Sequence, residues 1–457
     1  MKQLFTLCLS VGLLTAAPLA TVAAPSHPVR QATANDGLVA YFTHRLEGDA
    51  TPYASKAKLD LSEIRQARER VWQAWCEANR RLDEEKLATP GELTEASAAS
   101  WQLPDSLEPN AVMPYYWGTK GGARPERGYP LFLYLHGSGP KAREWATGLA
   151  ICRGFDDAPS LYFIPQIPNE GGYYRWWQRA KLFAWDRLLR QSLAAGWVDP
   201  DRVYFFGISE GGYGSQRLAS FYADYLAAAG PMAGGEPLKN APAENCRNIG
   251  FMLRTGADDN GFYRNRLTGY VADALDSLRR LHPAGYVHRV ELIPCTGHGI
   301  DYRPTTPWLK QFVRNPWPRQ VSWEDYDLDG VRRAGFYNLA VPPRTGDPAA
   351  RTYYEMTIED NQVDLSVSDV AYTTTERDPH WGIELKFARR LTPAASGRLT
   401  LYLNDALVDL SREVTVTVNG RRVFRGRVRP TLAAMVNSCA TFFDPRRVFP
   451  AAVEVEW

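Results

Sequence analysis

The sequence predicts an α/β protein: a mostly parallel sheet with helices on both faces, an N-terminal helical extension before it and a C-terminal β-sandwich-like domain after it. Three observations carry this reading. Between Trp101 and Val313, near-continuous apolar runs alternate with helix-like segments, as expected for strands buried on both faces. One such run, Arg202–Phe206, leads into Gly207-Ile208-Ser209-Glu210-Gly211-Gly212, a sharp strand-to-helix turn. After the proline-bearing break Arg314–Pro318 the helical signal fades, and short alternating runs continue to Trp457. At 457 residues the chain exceeds one ordinary core, so more than one folded unit is expected.

Taken in order, residues 1–23 read as a secretory signal peptide: Met1-Lys2-Gln3, an apolar run from Leu4 to Ala20, then small residues up to Ala23, with Pro25 disfavouring cleavage one residue later. The mature protein is therefore expected to be secreted or periplasmic. The apolar run is too short for a comfortable membrane span, and no later segment is long and apolar enough. Residues 24–100 form a charged extension. Its clearest element lies over Leu61–Leu82, where Ile64, Ala67, Val71, Ala74, Trp75 and Ala78 recur at helical spacing.

Residues 101–315 carry the alternating pattern. Strands are predicted at Val112–Trp117, Tyr129–Leu135, Leu161–Ile164, Val203–Phe206, Phe251–Arg254 and Val290–Ile293, and helices at Phe183–Ala194, Tyr213–Leu226 and Leu267–Leu281. A β-rich unit is expected over residues 320–457. There Val414–Val418, Asn419-Gly420 and Arg421–Phe424 read as a hairpin closed by a type I′ turn, and Thr431–Phe443 reads as non-strand.

Composition excludes several classes of partner. A formal net charge of +2 gives no electrostatic case for nucleic acid or an anionic membrane surface. Cys8 falls in the signal, leaving Cys76, Cys152, Cys246, Cys295 and Cys439, an odd number, in an oxidising compartment. Neither CxxC nor HExxH occurs. The stretch Asp325-Tyr-Asp327-Leu-Asp329-Gly330 begins like a calcium loop, but Phe336 stands where the twelfth-position glutamate belongs. No metal or other cofactor is expected.

The chemistry-bearing residues fall at the C-terminal ends of the predicted strands, the edge where ligands gather on open parallel sheets. After Tyr129–Leu135 comes His136-Gly137-Ser138-Gly139, and after Val203–Phe206 the turn bearing Ser209. Phe251–Arg254 is followed by Gly256-Ala257-Asp258-Asp259, and the strand ending at Ile293 by Gly297-His298-Gly299. The segment Trp101–Val313 thereby resembles the α/β-hydrolase superfamily, and within it secreted serine esterases and prolyl-oligopeptidase-like enzymes.

The resemblance implies, and the chemistry requires, a nucleophile at Ser209, a general base at His298 and an acid that orients the imidazole. Asp259 fits the family's Gly-x-x-Asp spacing, with Asp258 the alternative. The oxyanion hole is expected from the backbone N–H groups of Glu210 and Ser138, with Gly139 the alternative to Ser138, while His136 braces that turn. The Glu210 side chain departs from the small or aliphatic residue often found there and is expected to pair with an arginine.

In the loop Asn169–Gln178, Tyr174, Trp176 and Trp177 are assigned to a substrate wall, with core packing of the two tryptophans the alternative. Gly261–Asn265 is a candidate second wall. The expected substrate is a small-molecule or polysaccharide-linked ester, with acyl groups on carbohydrate suiting the aromatic loop. The rival readings are a prolyl-oligopeptidase-like serine peptidase and a non-catalytic carbohydrate-binding protein on the same fold.

Overall fold

The computed structural model describes residues 28–344 and 346–457, so the segment read as a signal peptide lies outside the described residues. Two helices, α1 (Pro28–Leu46) and α2 (Ile64–Arg81), open the chain. The predicted stripe of Ile64, Ala67, Val71, Ala74, Trp75 and Ala78 is the buried face of α2. That face packs against the rest of the molecule, because six apolar side chains at helical spacing cannot be left in water.

The main sheet follows. Strands β1 (Gly91–Glu92) and β2 (Ala98–Gln102) both lie along the outer edge of β3 (Val112–Lys120). The remaining strands are β4 (Tyr129–Leu135), β5 (Ser160–Pro165), β6 (Val198–Ile208), β7 (Ala228–Met232), β8 (Gly250–Gly256) and β9 (His288–Ile293). Their spatial order is β3-β5-β4-β6-β7-β8-β9. Strand β3 runs antiparallel to β5, and from β5 to β9 every pairing is parallel. Parallel neighbours need crossovers, supplied by α3 (Lys141–Gly154), α4 (Arg179–Ala194), α5 (Glu210–Phe221) and α6 (Arg264–Leu281), with a short 3-10 turn (Ala243–Cys246) between β7 and β8, while α7 (Thr305–Leu309) follows β9. This strand order, with β3 antiparallel to both its neighbours β2 and β5, is the α/β-hydrolase fold.

Alternate residues of each strand enter opposite faces, as the two-residue period of a strand demands. Leu131, Leu133, Phe163, Phe205 and Leu253 join one apolar core with Leu188 of α4, Leu218 of α5 and Val271 of α6. Phe132, Tyr162, Tyr204 and Met252 join the other with Leu149 of α3 and Leu309 of α7. Both faces are therefore covered, which explains why the strands read as continuous apolar runs.

Past Arg314 the chain turns to β-structure. It comprises β10 (Gln320–Asp325), β11 (Gly335–Phe336), β12 (Leu339–Ala340), β13 (Arg351–Glu359), β14 (Gln362–Arg377), β15 (Glu384–Pro393), β16 (Arg398–Leu403), β17 (Glu413–Val418) and β18 (Arg421–Arg427), then a helix α8 (Leu432–Phe442) and the last strand β19 (Ala451–Glu456). One sheet runs β10-β13-β14-β17-β18 with β15 on β14, and a second runs β11-β12-β16-β19. Between β17 and β18, Asn419 and Gly420 take positive φ values of 49° and 79°, the conformation a type I′ turn requires. The long pair β14–β15 extends beyond its neighbours, since Ser368–Arg377 pairs mainly with Glu384–Pro393.

One expectation is corrected here. The helix after the elbow begins at Glu210 and stops at Phe221, five residues short of Leu226. The reason is tertiary: Asp224 is fully buried, held by Arg447 and by Arg333 3.2 Å away, and a buried carboxylate must follow its cations. The segment expected to be non-strand is α8, Leu432–Phe442, capped by Thr431 and Phe443. The first half of the calcium-like stretch is drawn into ion pairs, with Asp325 lying 3.2 Å from both Arg332 and Arg344. The five described cysteines are unpaired, and no helix among the described residues is long and apolar enough to cross a membrane.

The tightest approach in the sheet involves α5. A Cβ on Gly211 would sit 1.9 Å from the Leu135 carbonyl oxygen of β4, and one on Gly212 would sit 2.3 Å from that of Met232. Gly211→Ala is therefore expected to cost at least about 1–3 kcal/mol of stability in urea unfolding. Gly269→Ala on α6, whose Cβ would meet nothing within 4 Å, should be neutral or slightly stabilising. Equal effects of the two substitutions would contradict this packing.

Candidate active site

Four turns meet at the C-terminal edge of the main sheet. Strand β6 ends at Ile208, and Ser209 takes φ 57° and ψ −111° before α5 begins. A non-glycine residue in that region is strained and must be held by its surroundings. The Ser209 N–H donates to the Met232 carbonyl at 2.9 Å, and its carbonyl accepts from the Tyr213 N–H at 3.0 Å. Glycines at 207 and 211 are required by the same geometry, since a Cβ on Gly207 would lie 2.4 Å from the Gly211 oxygen. The sequence thus forces the serine side chain out of the turn.

The acid and the histidine arrive on two stitched loops. The Ala257 N–H bonds to Ile293 and the Asp258 N–H to Thr296, each at 2.9 Å. Gly256 permits this crossing, because a Cβ there would be 2.0 Å from the Gly297 oxygen. His298 Nδ1 donates to Asp259 Oδ2 at 2.7 Å, and its Nε2 accepts from the Ser209 hydroxyl at 3.0 Å. Asp259 is buried, whereas Asp258 is exposed and makes no side-chain contact with the imidazole.

Arg264, at the start of α6, grips the Asp259 carboxylate from the other side, with Nη2 2.7 Å from Oδ1 and Nε 2.9 Å from Oδ2. Burial disfavours the Asp259 anion, but the hydrogen bonds from Arg264 and His298 outweigh it and hold the pKa below the ordinary aspartate value. The acid is thus ionised and fixed in place.

The His136–Gly139 turn lies beside the serine: a Cβ on Gly137 would be 3.5 Å from the Ser209 Cβ. His136 is fully buried, and burial lowers its pKa to about 4, so the ring is neutral. Its Nε2 accepts from the Ile167 N–H at 3.1 Å, which places the proton on Nδ1, 2.7 Å from the Gly137 carbonyl. Ser138, expected to offer its N–H to an oxyanion, is exposed on this turn, and Glu210 follows the serine directly.

The aromatic loop is divided between two tasks, and the assignment of Tyr174 and Trp176 to a substrate wall is corrected. Trp176 is 0% exposed and donates its indole N–H to the His136 carbonyl at 3.0 Å. The Tyr174 hydroxyl is buried and shares its one proton between the Gly137 and Gly139 carbonyls, 2.7 and 2.9 Å away. Both support the turn because they are its hydrogen-bond donors.

Trp177 instead faces a cleft of about 650 Å³ that starts at Glu210 and runs to Phe262 and the tip of the β14–β15 hairpin. The Arg217 guanidinium lies 4.0 Å over the Trp177 ring. Glu210 pairs with Arg175 at 3.5 Å, and burial, opposed by that arginine, pushes its pKa up to about 7.

The sequence reading named the Gly261–Asn265 segment but missed that Arg264 holds the acid. It also missed the hairpin tip, Trp381 above all, which no local motif marks. A guanidinium five residues after the acid, on the first turn of the following helix, is the only local signal for Arg264.

No protein-family model matches the chain, and no curated protein matches it either. Among solved structures, a thermostable esterase is similar at 22% identity and TM-score 0.38, over 48% of this chain and 62% of that one. The chain therefore spans less than two thirds of that esterase. A ferulic acid esterase from Anaeromyces mucronatus is similar at 12% identity and TM-score 0.34 over 47% and 88% of the two chains. An S-formylglutathione hydrolase from Staphylococcus aureus is similar at 14% and 0.34 over 47% and 95%. Strand order and the position of the four turns, rather than these partial likenesses, define the α/β-hydrolase fold.

The raised pKa of Glu210 has a thermodynamic consequence. Its unfolded carboxyl ionises near 4.5 and its folded one near 7, so between these values the folded state holds more protons. Stability must then fall as pH rises through that window. Glu210→Gln should flatten this slope, raising stability at pH 8 relative to pH 5 by about 2–3 kcal/mol in urea unfolding. Parallel pH profiles for the two proteins would contradict it.

Proposed function

We propose that this protein is an exported serine hydrolase that cleaves carboxylic esters, with acyl groups on carbohydrate as the preferred substrates. One observation carries the reading: an unbroken hydrogen-bond chain from Ser209 through His298 to an ionised Asp259. His298 takes the hydroxyl proton as Ser209 Oγ attacks the ester carbonyl, and Asp259 stabilises the imidazolium and keeps Nε2 facing the serine. The tetrahedral oxyanion is received by the backbone N–H groups of Glu210 and Ser138, in a turn already rigid. His298 then protonates the leaving alcohol, and water repeats the sequence in reverse to release the acid and restore Ser209.

Nothing in these steps calls for a metal or organic cofactor. The carbohydrate reading is supported by the exposed rings beside Glu210, and export by the character of residues 1–23. N-terminal sequencing of the exported protein should begin at Ala24.

A fluorophosphonate probe should label Ser209, and Ser209→Ala should abolish labelling and lower aryl-ester turnover roughly 10³- to 10⁶-fold. Labelling that survives in Ser209→Ala would overturn the assignment of the nucleophile. Turnover confined to aminoacyl amides, among aryl acetates, acylated sugars and amides, would overturn the ester preference in favour of a peptidase.

A further inference from the structure

We propose that the cleft beside Glu210 binds a sugar ring of the substrate, with Trp381 from the C-terminal sheet as its stacking platform. This rests on the ester-hydrolase reading and adds that the β-rich unit completes the site. Trp381 and Phe262 are 57% and 47% exposed, with ring centroids 4.9 Å apart, so two large rings stand paired in solvent at the cleft rim. Apolar surface gathered at a cleft rim marks a contact for something else.

The platform is built rather than loose. The Tyr263 hydroxyl donates to Asp378 at 2.6 Å, and Asp378 also accepts from the Trp381 N–H. Lys239 pairs with Glu384 at 3.0 Å, and Arg266 pairs with Glu376. Phe262 and Tyr263 both take left-handed backbone conformations, φ 51° and 60°, which send one ring to the cleft and the other to the hairpin. Strain of this kind persists only where the surroundings enforce it.

The polar side of the cleft suits hydroxyl groups. Glu210 is 8% exposed, and its buried Oε1, 3.5 Å from Arg175 Nη1 in an ion pair, makes no hydrogen bond, in a protein interior where such atoms are normally satisfied. Arg175, Arg217 and Asn240 line the same cleft, Arg217 and Asn240 also being held by Glu236, so donors and acceptors share it with the aromatic rings. A pyranose presents that combination, with C–H bonds on its faces and hydroxyls around its rim. The volume of about 650 Å³ falls within the roughly 300–1,000 Å³ typical of small-ligand sites.

The test reads binding in a protein that cannot turn substrate over. Ser209→Ala protein is titrated with xylo-, cello- and arabino-tetraose and, separately, with methyl ferulate, following tryptophan fluorescence and calorimetry. The expected result is saturable binding of at least one tetraose. That binding should be weakened at least tenfold by Trp381→Ala and by Phe262→Ala, and partly restored by Trp381→Phe. Circular dichroism confirms that the variants are folded, as expected for the removal of side chains this exposed.

Absence of tetraose binding, binding indifferent to both substitutions, or binding of methyl ferulate alone would overturn the proposal. The last outcome would make the cleft an acyl site. A wild-type protein refractory to fluorophosphonate, by contrast, would overturn the hydrolase reading while leaving the saccharide titration to stand or fall by itself.

Discussion

The site depends on how closely the first turn of α5 is pressed against the ends of β4 and β7. With Gly211 against the Leu135 carbonyl and Gly212 against Met232, no side chain can intervene, and the chain between strand and helix has only a strained path open to it. Ser209 occupies that path. The same contact sets β4 beside β6 in the sheet, so the His136–Gly139 turn leaves its strand next to the serine. Strands β8 and β9 then deliver Asp259 and His298 from the other side. Strand order, glycine placement and the reach of one imidazole are thus one constraint seen at three scales.

Electrostatics complete what packing begins. Asp259 could not remain ionised on burial alone, but it is shared between Arg264 and His298, so its charge is satisfied and its orientation fixed. Glu210 is the converse case: burial beside Ser209 raises its pKa towards neutrality, and Arg175 only partly opposes this. A fully ionised carboxylate at that place would repel the negative charge that develops on an oxyanion. One carboxyl group follows Ser209 directly and the other reaches it through His298, and their surroundings drive them in opposite directions.

Much of this was legible in the sequence because it is local. Long apolar runs mark strands buried on both faces, and the glycines of the elbow are read directly. The order serine, aspartate, histidine follows from the order of strands. Strand β7 leaves little signal because Ala-Ala-Gly-Pro-Met has no β-branched or aromatic member, and its place is set by its neighbours. Tyr174 and Trp176 look like a substrate wall in sequence, but their polar tips are the donors that the His136 turn needs, and this draws them inward. Asp224 ends α5 early because its partners Arg333 and Arg447 lie far along the chain. Trp381 joins the cleft through a hairpin more than a hundred residues past the acid. Such long-range pairings leave no periodic trace.

The central claim is that Ser209 becomes covalently acylated during turnover. The direct measurement is intact-protein and peptide mass spectrometry after mixing with an aryl acetate and quenching in acid within the first turnover. The account predicts the mass of one acetyl group on the peptide containing Ser209, absent in Ser209→Ala and accumulating in His298→Ala only at a greatly reduced rate. Ester hydrolysis proceeding at full rate with that peptide unmodified, or the acetyl group found on another residue, would contradict it.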